Sequence, residues 1–384
     1  MNSNFQCGRR LFFKFITGII FAAIFITVSD KSAYAYHWTK LASGGFNDKS
    51  EYSIEHYTEY ENKIFFSSVI QNNSSSKFRI MSFDGTNFAN ESDENFGIAG
   101  SFWVSGMGVY EDKLYVGIYF QNGYRLWVKD GSNPWALIRN GGTNYMANGF
   151  CEVGGNLYIG TNNPAGAQVW EFDGVDWTQV DDGVFASNDR SALNCTVMDS
   201  KLYFATENFT DGTAIWELDP SQPSGARWNQ LAAGGFGNSN NQKSNLVVYD
   251  GKIYAGTYNV ATGGEIWVYS QDSGSWDWSN LVDKGNGNQE NYYLGVSMVE
   301  RNSKLYFSTG NLRKGTQIWE YDGSDLVQIN LAGFGDVLNN SALVVNYASE
   351  PDQLFAFTRN TVYGVEVWET GLSGQTNGPQ DDRY

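Results

Sequence analysis

Histidine occurs only twice in 384 residues, at His37 and His56, which is too few for a clustered histidine metal site. Cysteine occurs three times and proline six times. Basic residues number 25 against 42 acidic. That balance opposes binding to nucleic acid or to an anionic membrane surface, and no basic cluster beyond the first residues offsets it. Long charged runs and helix-forming runs are scarce. Glycine is plentiful, with 43 residues, and aromatic side chains make up 16% of the chain. With 41% hydrophobic residues, this is the composition of a large core built from short strands and tight turns, an all-β protein.

One apolar run stands apart, Phe15 to Val28, between the basic segment Gly8-Arg9-Arg10-Leu11-Phe12-Phe13-Lys14 and the small-residue site Ala33-Tyr34-Ala35. Residues 1–35 therefore read as a signal peptide. The run is shorter than the roughly 20 residues that span a bilayer, so no integral membrane segment is expected after cleavage. The basic segment resembles the twin-arginine export motif, with Gly before the arginines and Phe where Leu is usual. An ordinary secretory signal carrying two arginines is the alternative, and either route makes the protein periplasmic or secreted. Cleavage removes Arg9, Arg10, Lys14, Lys31 and Asp30, leaving 21 basic and 41 acidic residues and a net charge near −20. Such a chain suits a soluble extracytoplasmic monomer that attracts cations.

The organising unit is Asp250 to Tyr269: a turn, an alternating strand from Ile253 to Thr257, a Gly-rich loop, and a second strand centred on Ile266 and Trp267. The same register aligns Ile64, Leu114, Leu157, Leu202, Ile253, Leu305 and Leu354, spaced 50, 43, 45, 51, 52 and 49 residues apart. A second landmark falls at Met81, Trp127, Trp170, Trp216, Trp267, Trp319 and Trp368. This is the period of a four-stranded propeller blade. Fourth strands are marked by Phe88, Trp135, Trp177, Trp228, Trp278 and Leu326, but the seventh repeat ends without one. Trp38 to Phe46 matches Trp228 to Phe236, so the N-terminal strand is expected to close a seven-bladed ring of four-stranded blades over residues 36–370. Residues 371–384 have no apolar periodicity and read as a disordered tail.

These repeats resemble the kelch and galactose-oxidase type of seven-bladed propeller, and more narrowly the repeats of secreted bacterial propellers of largely unassigned activity. Gly256-Thr257 and Gly160-Thr161 stand where kelch repeats have paired glycines. The hairpins at Asp173 to Trp177 and Asp130 to Trp135 are similar to the Asp-box turn of sialidase-like propellers. The two histidines and two tyrosines that hold copper in galactose oxidase have no counterpart here, so copper-oxidase chemistry is not implied.

Cys7 leaves with the signal. Cys151 and Cys195 occupy equivalent sites in adjacent repeats, each two residues before a valine (Val153, Val197). An oxidising compartment permits a disulfide. Neighbouring inner strands often lie too far apart for one, and two buried thiols are the favoured expectation.

The recurring tryptophans read as packing between blades, and the glycine four residues before each (Gly123, Gly166, Gly212, Gly263, Gly315, Gly364) as a turn position needing φ > 0. The ligand-binding candidates are Asn163, Asn208, Asn259, Asn311 and Asn360, each two residues past a strand end. Their loops share a face with the polar connections Gly235 to Asn241 and Gly333 to Asn340. Asparagine in such loops also serves turns. Eight arginines, including Arg190, Arg227 and Arg359, follow no grouping motif. Asp181-Asp182 is a carboxylate pair of the kind a glycosidase uses if set across a channel. The Asp283 to Glu290 loop carries oxygen ligands suited to calcium, a possible cofactor, without the full EF-hand spacing.

The sequence thus points to a secreted, non-catalytic propeller that binds a carbohydrate or protein ligand on its polar loop face. The alternatives are an extracellular glycan-active hydrolase or lyase with its site at the channel mouth, and an envelope scaffold protein acting through its rim. Convergent Arg, Tyr and carboxylate groups at the mouth would mark the enzyme, whereas Asn, Gly and aromatic groups would mark the binder.

Overall fold

The computed structural model describes residues 36–72, 75–100, 102–120, 123–271 and 274–371. The expected signal segment, and all of the expected tail 371–384 except Gly371, which ends the strand Val367–Gly371, lie outside the described residues. Regular structure within them is β-strand apart from two single-turn 3-10 elements, Glu94–Gly97 and Ala332–Gly335.

The unit read from the sequence folds as an antiparallel meander: Lys243–Tyr249, Lys252–Tyr258, Ile266–Ser270 and Asp277–Val282. Asp250 and Gly251, with φ of 50° and 66°, join its first two strands in the two-residue hairpin geometry that matches strand twist. Ile253, Tyr254 and Ala255 in succession are at most 3% exposed, because this strand is covered on both faces. The aligned Ile and Leu residues, from Ile64 to Leu354, are all 0% exposed. Meanders of the same order begin at Glu51, Val104, Met146, Ser191 and Tyr293.

The strands Ser341–Asn346, Gln353–Arg359 and Val367–Gly371 take Thr39–Ala42 as their outer partner. Lys40 lies opposite Trp368 and Ala42 opposite Val367, with an irregularity between them. Gln230 opposite Trp216 and Ala232 opposite Ile215 repeat that register, irregularity included. Trp38 donates its indole N–H to Ile329 O at 2.8 Å, as Trp228 does to Val180 O at 2.7 Å. First strands of successive meanders pack against one another, and Glu51–Tyr60 packs against Ser341–Asn346. The first strands therefore surround a central channel.

Apolar packing lies between neighbouring meanders: Ile266 and Val268 of one share a cluster with Leu294, Leu305 and Phe307 of the next. Phe96, Phe236 and Phe334, from the connections, lie nearly parallel on Trp127, Trp267 and Trp368 at 4.6, 4.9 and 4.7 Å. The expected packing of the tryptophans is what the structure has. The six glycines before them all have positive φ, between 84° and 124°. Gly364 also faces a close approach, since a Cβ there would lie 2.6 Å from Gly45 N.

Cys151 and Cys195 are disulfide-bonded with Cα atoms 6.2 Å apart, correcting the expectation of thiols. Irregularities at Asn148/Phe150 and Ala192/Asn194 bend the two first strands. Gly149, with φ of 44°, brings its backbone so close that a Cβ would lie 3.3 Å from Asn194 C.

Candidate ligand site at the channel mouth

All five candidate asparagines are buried: Asn163 is 5% exposed, Asn208 4%, and Asn259, Asn311 and Asn360 0%. Asn259 Oδ1 accepts the backbone N–H of Ala261 and Thr262 at 3.0 and 2.9 Å. Its Nδ2 donates to Asn241 Oδ1 at 2.9 Å. Asn208, Asn311 and Asn360 close their loops in the same way. Their Nδ2 groups reach Asp189, Asn291 and Asn339, while that of Asn163 reaches Asn144. Asn241 in turn donates to Gly235 O and Glu265 Oε2, and Trp267 Nε1 donates to the same carboxylate at 2.8 Å. The amides are therefore consumed in bracing each loop against the connection before it and do not face solvent. Asn241 and Asn339, expected on the polar surface, are buried partners of this network.

The residues just before these asparagines lie at the cavity end of their strands, Tyr258 and Arg359 lining it. Antiparallel pairing sets the residue before each one beside the start of a first strand: Tyr258 opposite Lys243, Arg359 opposite Ser341, Glu207 opposite Ser191. A cavity of about 780 Å³ occupies the channel, and Phe209, Lys243, Tyr258, Tyr292, Tyr293 and Arg359 line it at the loop end. Lys243 Nζ lies 2.5 Å from Glu207, 5.3 Å from the Phe209 ring and 6.0 Å from the Tyr258 ring. Tyr258 meets Tyr292 and Tyr293 edge-on at 5.7 and 5.6 Å. The Arg359 guanidinium stands 5.8 Å from the Tyr52 ring. Trp103 and Tyr119, at the equivalent positions of another meander, stack at 4.0 Å.

Further along the first strands, an irregularity between Ile54 and Tyr57 re-aims Glu55 and His56 into the cavity. Ser53 Oγ donates to Glu55 at 2.6 Å. Another between Leu294 and Met298 is held by Asn245, whose Nδ2 donates to Gly295 O and Val296 O at 3.0 and 2.9 Å. Burial pushes the Tyr292 and Tyr293 hydroxyls up, partly offset at Tyr292 by the Arg359 charge, so both are neutral donors at neutral pH. Burial holds the His56 imidazole below its ordinary range, against the charge of Glu55.

Other groups singled out in the sequence serve the scaffold. Asp182 receives Arg227 at 2.6 and 2.8 Å, and these bonds hold its carboxyl well below the usual range. Asp181 accepts the N–H of Val169 and Gly183. The pair is not set across the channel. In the Asp283 to Glu290 loop, Asp283 pairs with Lys284 and Glu290 with Arg313. Among the described residues no group of three or more His, Cys, Asp or Glu side chains converges as a metal site. Of the arginines in the described residues, Arg359 alone lines the cavity.

Sequence reasoning missed the mouth because its residues differ from repeat to repeat: Tyr119, Asn162, Glu207, Tyr258, Gly310 and Arg359 stand at equivalent strand ends. The signal was there as variation beside an asparagine that follows five of the six, where a repeat is free to change without losing its loop.

The chain matches no family model and no curated protein. It is similar to solved structures at low identity. The BP39L lectin from Burkholderia pseudomallei aligns with a TM-score of 0.57 at 9% identity, over 86% of this chain and 99% of the lectin. YCF48 bound to D1 peptide aligns at 0.55 and 11%, over 91% and 100%. The GH74 enzyme of Niastella koreensis aligns at 0.55 and 12%, over 85% of this chain but 53% of that one, so the chain spans about half the enzyme's length. These likenesses identify the fold as a β-propeller.

Proposed function

We propose that this is an extracytoplasmic seven-bladed propeller of the kelch and galactose-oxidase kind, closed by Thr39–Ala42, that binds a carbohydrate at the loop-side mouth of its channel without catalysing a reaction on it. The observation that carries the reading is the cavity of about 780 Å³ with Phe209, Tyr258, Tyr292 and Tyr293 at its loop end. Aromatic faces cover the apolar faces of sugar rings, while neutral phenols, Asn245 and Lys243 supply hydrogen bonds to hydroxyls. The asparagines belong to the same face and hold its loops. Glu55 is the sole carboxylate among the described residues lining the cavity, whereas the usual glycosidase arrangement sets two across the bond. A lectin uses the same fold. The leader-like first 35 residues and the Cys151–Cys195 bond support an oxidising compartment outside the cytoplasm.

A protein ligand is the second reading, favoured by exposed apolar side chains beside the asparagines: Phe209 at 46%, Val260 at 62% and Leu312 at 65%. A glycan array followed by titration of Tyr258→Ala with Tyr292→Ala separates the two. The carbohydrate reading expects array binding that falls at least about tenfold in the double variant. No glycan binding, or binding indifferent to both tyrosines, would overturn it.

A further inference from the structure

Resting on the carbohydrate reading, we infer that the sugar bound at the mouth carries a carboxylate, as a uronic acid does, and that Arg359 receives it. Four other half-buried arginines have polar partners in the protein, and Arg125 stacks on Phe120 at 4.1 Å. Arg79 is held by Glu51 and Glu94, Arg227 by Asp182, and Arg301 by Pro351 O and Tyr347 O. Arg139 lies between the rings of Trp170 and Trp177 and donates to Tyr124. Arg359 lines the cavity and has no ion pair or side-chain hydrogen bond to protein among the described residues. Its Nε is buried, which leaves the edge formed by its two terminal nitrogens to meet an acceptor in the cavity, a bond of the charge-assisted kind.

The shape of the gap matches the ligand class. A guanidinium edge presents parallel N–H groups that two coplanar oxygens of a carboxylate accept together, a geometry an alcohol does not reproduce. Around it Tyr52, Tyr258 and Tyr292 offer ring faces and edges, and Lys243 adds a second cation, shared with Glu207. The net charge, −17 over the full sequence and near −20 without its first 35 residues, acts against an acidic ligand only at long range. At physiological salt it is screened beyond about 8 Å, so the charges at the mouth decide.

The test is calorimetric titration of the full chain with a hexameric uronic-acid oligosaccharide and with the same hexamer after its carboxylates are reduced to alcohols. The acidic hexamer is expected to bind at least about tenfold tighter. Arg359→Gln should remove that advantage and Lys243→Gln reduce it, the advantage being read in each variant as the ratio of its affinities for the two hexamers. Melting temperature checks folding of Arg359→Gln, and the half-exposed Lys243→Gln carries the test if the first variant unfolds. Equal affinity for the two hexamers, or an advantage that survives both substitutions, overturns the inference. Tyr258-dependent binding of the reduced hexamer would in that case keep the carbohydrate reading. Binding of an acidic peptide and of neither hexamer overturns both.

Discussion

Asn259 donates its Nδ2–H to Asn241 Oδ1 across 2.9 Å, and both side chains are fully buried. The bond joins the loop after Tyr258 to the connection that leads into the same meander, so an asparagine repeated in five units fixes this loop end of the cavity from beneath. Asn259→Ala and Asn241→Ala should each cost about 1–3 kcal/mol, because each leaves a buried partner unsatisfied. Denaturant titration should show the double variant losing less than the sum. Unchanged stability with lost ligand binding would return the asparagine to the ligand surface.

The Cys151–Cys195 bond closes a chain segment of 44 residues between neighbouring first strands. Replacing both cysteines by serine should lower stability by about 3 kcal/mol, chiefly by freeing the unfolded chain. Thermal melts of the oxidised protein, the reduced protein and the double variant check this. The reduced protein and the variant should melt together, below the oxidised protein.

His56 carries a pH dependence of known sign. Its folded pKa lies below the ordinary value of 6.5, so the unfolded chain takes up a proton first as pH falls. Stability contributed by the neutral folded imidazole is full above about pH 6.5 and is lost progressively below it. Melting temperatures between pH 7 and 5 should fall, and His56→Gln should flatten that slope. An equal slope in the variant would assign it to carboxylates elsewhere.

Trp38 is 6% exposed and bonded to Ile329 O, which anchors the chain immediately before Thr39–Ala42. Trp38→Ala should cost about 3–5 kcal/mol. Deleting residues 36–46 should impair folding far more than truncation after residue 371. Comparable melting temperatures for the two truncations would count against closure of the ring through this strand.

By itself the sequence determined the repeat, its strands, and the outer partner of the last meander. Each of these rests on local apolar periodicity and on turn residues whose backbone demands are nearly context-free: Ile253 and its equivalents had to be buried, and Gly364 had to take a positive φ. Tertiary structure alone decided which polar side chains are free. An asparagine reads the same whether its amide bonds a neighbouring loop or a ligand, and only packing of the preceding connection shows that Asn259 is spent on Asn241. The same holds for Cys151 and Cys195, which sit in neighbouring first strands beside irregularities that no periodicity announces. Arg359 is one of several ungrouped arginines in the sequence. Its pairing with Ser341 is local to one hairpin, but its place beside Tyr258 and Tyr292 at one cavity joins residues of different meanders, which only tertiary packing brings together.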